Sequence, residues 1–218
     1  MAFLLSAGTQ DIAHSGGTPF SAHLRGVHDV LAAWGEPAHL ALAGLAHSVY
    51  ATDGFQHPAC LAFTPSNRRA VADAVGPEAE AMVYAFCITD RATSAGESQD
   101  DDLRATAPGD PPRRHRWRVR ADAGAAVPEA WVELSHAQWR DFTALTLADW
   151  LEQVEEAAGR PNERFGYATG EAWAYRRSAY RRMASLLGGV AAADYERVFG
   201  REPAGSRGLE FERPVAVG

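Results

Sequence analysis

Two histidines and one carboxylate occupy positions where a helical protein would ordinarily bury apolar side chains. His23 lies within PFSAHLRGVHDVLAAW (19–34). His47 stands near the end of the Ala- and Leu-rich run that Pro37 opens, and Asp90 closes the apolar segment AFCITDR. An ionisable group in such surroundings is costly unless it is paired or bound to a metal. Imidazole and carboxylate are ligands for first-row divalent metals. Three such groups projecting from three consecutive major helices are how a helical bundle assembles a metal centre in its core. The expectation is one divalent metal ion (Mn, Fe or Zn) held by His23, His47 and Asp90. For either histidine alone, the ordinary alternative is a core imidazole hydrogen-bonded to a backbone carbonyl.

The residues around these positions supply candidate chemistry. Asp53 and His57 follow His47 in the loop TDGFQHPACLAFTPS, where a general base or a residue orienting a ligand would sit. Arg68 or Arg69 could orient a phosphate or carboxylate through the paired N–H groups of its guanidinium. Tyr50 could donate a hydrogen bond into the site, or simply pack. Nucleophile chemistry has less support: there is no G-x-S-x-G elbow, and a cysteine in VYAFCI is expected to be a buried, inert thiol.

The elements that must position these groups are helical. Apolar residues at Phe20, Leu24, Val27, Val30, Leu31 and Trp34 predict a helix over 19–34, with Gly35 as its stop. Pro37 starts a second helix to about residue 50. Ser66 is expected to cap a short third helix, and Pro77 starts a fourth that ends near Arg91. Residues 93–114, with Ser, Gly, Pro and the run Asp100–Asp102, predict a mobile insertion or lid. RRHRWRVR alternates basic and apolar residues as a short strand would. Two further helices, HAQWRDFTALTLADWLEQVEEA and EAWAYRRSAYRRMASLLG, complete the set, the latter with Trp173, Tyr180, Met183 and Leu187 as its buried stripe. A short helix near DYERVF follows. The fold class expected is all-α: one compact helical bundle over residues 1–218.

Composition narrows the functions. The 218 residues carry a net charge of −7, which disfavours nucleic acid as the main partner. No run approaches the roughly 20 apolar residues of a membrane span, and MAFLLSAG lacks the basic start of a secretory signal. Two cysteines are too few for a disulfide framework, which fits a reducing cytoplasm. No lysine occurs anywhere, so Schiff-base catalysis and Walker-type phosphate loops are excluded. A small-molecule substrate is the expected partner, and the apolar content of the last helices would allow a homodimer.

HLRGVHDVLAAWGEPAHLALAGLAHSVYATD resembles the start of an HD-domain metal-dependent phosphohydrolase, closest in rhythm to the alarmone hydrolases. Ile88-Thr89-Asp90-Arg91 is similar to their later Leu-Ala-Asp-Arg element. The phrase AGLAHSVYATDGF also resembles a bacterial and algal group of unknown function in which serine follows the histidine. Over the first ninety residues, the resemblance implies an HD-like bundle with His23, His47 and Asp90 as ligands. Ser48 stands where that superfamily places a metal-binding aspartate, which implies a mononuclear rather than a two-metal centre. Asp149, in TLADWLEQ, resembles the superfamily's last motif and competes with Asp90 as the third ligand; order in the chain and ITDR favour Asp90. The implied function is hydrolysis of a phosphorylated or nucleotide-like small molecule. The alternatives are a non-haem iron oxygenase on the same ligands, or a non-catalytic binding module derived from the HD fold.

Overall fold

The computed structural model describes residues 19–91, 114–124, 126–157 and 171–200. Helix α1 (Phe20–Ala33) buries Phe20, Leu24, Val27 and Leu31 along one stripe, and His23 lies in that stripe. Gly35, at φ +76°, takes the left-handed turn that ends it. Helix α2 (Ala38–Ala46) stops four residues short of the expected boundary. The His47 ring Nδ1 donates to the Gly44 carbonyl at 2.8 Å and satisfies one of the acceptors a helix end leaves unpaired. Helix α3 (Pro65–Val75) is capped by Thr64, whose hydroxyl accepts from the Asn67 amide at 3.2 Å. The expected cap, Ser66, falls within the first turn instead. Helix α4 (Pro77–Ile88) ends as the chain becomes extended at Thr89.

Two strands follow, β1 (Arg114–Arg118) and β2 (Trp131–Ser135), paired antiparallel with Trp117 opposite Val132. The architecture is therefore mostly α with a small β-hairpin, a correction to the all-α expectation. RHRWR was readable as a strand. WVELS carries no separate strand signal, because it runs directly into a strong helical pattern. Trp117 explains why the hairpin belongs to the core: its indole is wholly buried, and Nε1 donates to Thr89 Oγ1 at 2.9 Å.

Helix α5 (His136–Ala157) is the axis of the molecule. It packs against α1, α2, α4, both strands, α6 (Glu171–Leu187) and α7 (Gly189–Phe199). Its residues 142–154 are buried without interruption, as expected of a helix with neighbours on every side. One apolar cluster joins α1, α2, α4 and the hairpin to the first half of α5, and a second joins the other half to α6 and α7. Tyr180 and Met183 are buried as the α6 stripe requires, and Leu187 is partly buried. The side chain of Trp173 and nearly all of the 93–114 segment lie outside the described residues. No described helix is long and apolar enough to cross a membrane.

Trp117→Ala is expected to destabilise the protein by about 3–5 kcal/mol. Arg116→Ala, on the exposed face of the same strand, should stay within about 0.5 kcal/mol. Urea unfolding of the two variants measures the difference, and equal effects would remove the hairpin from the core.

Candidate metal centre

Three helices bring three ligand-competent side chains to one point. His23 comes from the middle of α1, His47 from the residue just past α2, and Asp149 from the buried stretch of α5. Their exposures are 2 %, 0 % and 3 %. The two Nε2 atoms are 3.1 Å apart, and each is 3.3 Å from Asp149 Oδ1. Among the described residues this is the group of histidine and carboxylate side chains placed to hold a metal ion.

The outer nitrogens fix the rings. Because a carbonyl only accepts, His47 Nδ1 must carry the proton it donates to Gly44, which leaves Nε2 with its lone pair facing the centre. His23 Nδ1 is hydrogen-bonded to the Glu152 carboxylate, which orients its Nε2 likewise. Histidine ligands are typically held in this way, through the nitrogen that does not bind the metal. Two lone-pair nitrogens and a carboxylate oxygen repel one another unless a cation lies among them. Donor atoms 3.1–3.3 Å apart subtend roughly 95–105° at an ion about 2.1 Å from each, between octahedral and tetrahedral angles. The donor set and its spacing fit a divalent metal.

A proton can bind the same group together. Burial alone would lower the pKa of His23. Hydrogen bonds to Asp149 and Glu152 and their negative charges outweigh it, lifting the imidazole from 6.5 to about 9. Burial likewise works against the Asp149 carboxylate, but contact with His47, the Arg91 guanidinium and hydrogen bonding to His23 hold it well below the usual carboxylate range. Arg91 Nη2 lies 3.2 Å from Asp149 Oδ2, and its guanidinium sits over the Phe86 ring.

The sequence-based candidates divide on this geometry. His23 and His47 meet as expected, and the third member is Asp149 rather than Asp90. The reason is the backbone after α4. Thr89 bridges to Val119, and the Asp90 amide donates to the Arg118 carbonyl, so this segment extends the hairpin edge. From ITDR it is Arg91, not Asp90, that reaches the cluster. Asp53 and His57 are exposed, and no hydrogen bond or ion pair described for them reaches the cluster. A tight turn, with Thr52 and Phe55 exchanging backbone hydrogen bonds, leaves Asp53 at its tip. Arg68 is committed to the buried Glu80, with Nε at 2.7 Å and Nη2 at 2.9 Å, and Tyr50 donates to the same carboxylate at 3.1 Å. Its paired donors serve the fold. Cys87 is a buried thiol that donates to the His47 carbonyl, and burial pushes it up to about 12.

Glu152, Gly26 and Arg91 were not singled out from the sequence. A signal for Glu152 existed: Asp149 and Glu152 are three apart in an otherwise apolar stretch of helix, so they share a face. Gly26 had none, because its role is purely spatial. A Cβ there would lie 2.6 Å from Glu152 Oε1 and 2.7 Å from its Cγ.

Residues 3–91 match the model of a family described as a domain of unknown function (DUF6817). That stretch contains His23, His47 and Arg91, whereas Asp149 and Glu152 lie beyond it. No curated protein and no solved structure matches the chain.

Two outcomes are expected. Gly26→Ala should cost about 1–3 kcal/mol by forcing Glu152 out of place, and Glu152→Ala in the same chain should relieve much of that coupling in a double-mutant cycle. In metal-free protein, His23 has a folded pKa raised above its unfolded value. Its contribution to stability is therefore complete below pH 6.5 and lost as pH rises through about 9. The urea midpoint should fall between pH 7 and 10 in wild type, and a His23→Phe variant should lack that component.

Proposed function

We propose that this chain is a metal-dependent hydrolase of a phosphorylated or nucleotide-like small molecule, with one divalent ion (Mn, Fe or Zn) held by His23, His47 and Asp149. The observation that carries the reading is the convergence of two Nε2 atoms and one carboxylate oxygen within 3.3 Å, with both outer ring nitrogens tied to acceptors. Three protein ligands leave coordination positions for water and substrate, as in catalytic rather than structural sites. The resemblance of the first ninety residues to HD-domain phosphohydrolases supports the same class.

A bound divalent ion supplies Lewis-acid polarisation of a phosphoryl oxygen and a water of lowered pKa. The protein's own groups do the rest. Glu152 and the Gly44 carbonyl hold the two imidazoles in the tautomer that presents Nε2. Asp149 presents Oδ1 to the ligand position, where Gln153 Nε2 also donates to it, and Oδ2 to Arg91. Charge favours an anionic substrate. Asp149 and Glu152 as carboxylates with Arg91 as a guanidinium leave one negative charge, which one proton neutralises and a divalent ion turns positive. The Arg91 guanidinium adds a local positive charge beside the substrate position.

A second reading has its own support: the raised pKa of His23 lets a proton close the cluster without metal. The protein would then be a binding module with a polar core. A non-haem iron oxygenase uses the same ligand types, two histidines and a carboxylate with open positions.

Elemental analysis of protein purified without chelator or affinity metal separates these readings. Near-stoichiometric metal is expected in wild type and in Asp90→Asn, and loss in His47→Ala and Asp149→Asn. Because metal must displace the His23 proton, apparent affinity should fall about tenfold per pH unit below pH 9. Anaerobic phosphomonoester hydrolysis with Mn or Zn supports the hydrolase, whereas bound iron with oxygen consumption supports the oxygenase. Absence of metal in wild type after reconstitution would leave the proton-closed module.

A further inference from the structure

A second site lies on the other side of the turn that follows α2. A cleft of about 540 Å³ opens between the 50–63 loop and residues 120–124 with Ala126, and none of its lining residues belongs to the metal-competent group. Its size is that of a small-molecule site. Leu61, Phe63 and Ala123 give it apolar surface, and Gln56, His57, Arg120 and the Asp122 carboxylate give it polar surface.

Arg120 is the unusual member. It is only 7 % exposed. Nε donates to the Cys87 carbonyl at 2.8 Å, one of the acceptors left over at the end of α4. Nη1 lies 2.9 Å from Asp122 Oδ1, and Asp122 is itself held by Gln56 Nε2. A guanidinium carries five N–H donors. Among the described residues, these two acceptors are the ones the side chain meets, so Nη2 is left without a protein acceptor. The lining of the cleft includes both this arginine and its partner Asp122. A guanidinium that lines a partly apolar cleft and has donors beyond those its carboxylate partner uses can receive an oxyanion there.

We propose that this cleft binds a small organic oxyanion, a carboxylate or phosphate with a short apolar body. The oxyanion accepts from Arg120 Nη2, and the apolar body lies against Leu61 and Phe63. The site is distinct from the metal centre: the residues lining the cleft include none of His23, His47 and Asp149.

Isothermal titration of the full chain with hexanoate and with inorganic phosphate tests the assignment. Saturable binding of either probe is expected, and which one binds tells whether the natural oxyanion is a carboxylate or a phosphate. Arg120→Met should weaken it by roughly tenfold or more, the worth of one charge-assisted hydrogen bond. Because Arg120 also ties α4 to the hairpin edge, Ala62→Trp provides a second arm: it fills the cleft from an exposed position and leaves the arginine intact. Binding lost in Ala62→Trp and kept in His47→Ala, which disables the metal centre, supports the proposal. Non-saturable uptake of both probes, or binding unchanged in Ala62→Trp, overturns it.

Discussion

A carboxylate buried at the middle of the central helix is the constraint on which this structure depends. Asp149 sits within a stretch of α5 with protein on every side, where an isolated charge would be prohibitively costly. Its surroundings meet that cost from three elements. His23 reaches it from α1, His47 from the end of α2, and Arg91 from the segment leaving α4. Packing makes room for this convergence. Gly26 lets α1 approach α5 closely enough for Glu152 to reach His23. Gly44 lets α2 lie against α1, since a Cβ there would meet Leu31 Cδ1 at 3.0 Å and the His28 amide at 3.1 Å. Two small residues thus set the helix separations that place two imidazoles 3.1 Å apart.

The same three atoms can be joined by a proton or by a metal ion, and this duality links stability to function. Closed by a proton, the cluster is a satisfied polar core. Closed by a divalent ion, it keeps the same ring orientations, because Gly44 and Glu152 hold the outer nitrogens in either state. Preorganisation of this kind is what a metal site needs, since ligands already in place lose little freedom on binding. Ser48 is buried but adds no charge, and the negative charge at the centre comes from α5 instead.

Arginine is the cation the fold uses wherever a positive charge must be buried or half-buried. Arg68 answers Glu80, Arg91 answers Asp149, and Arg120 answers the end of α4 and Asp122. Each uses the planar, multi-donor geometry that a lysine ammonium lacks. Arg68 spends both faces of its fork on one carboxylate. Arg120 divides its donors between the Cys87 carbonyl and the Asp122 carboxylate.

The helical periods, the proline starts and the glycine stop of α1 made most element positions legible from composition and spacing. So did the two histidines, because an imidazole in an Ala- and Leu-rich helix stands out against its neighbours. Local pattern could not choose between Asp90 and Asp149. Both follow apolar runs, and the choice rests on a backbone that becomes extended at Thr89 and pairs with residues about thirty positions later. It could not identify Gly26 either, whose meaning is a distance to a side chain on another helix. The exposed positions of Asp53 and His57 followed from α2 ending at Ala46, an end made by the His47 ring itself. What the sequence determined alone was which side chains must be buried and on which helices they ride. Tertiary structure decided which of them meet, because contacts between residues more than a hundred positions apart depend on how whole helices pack and not on any local preference.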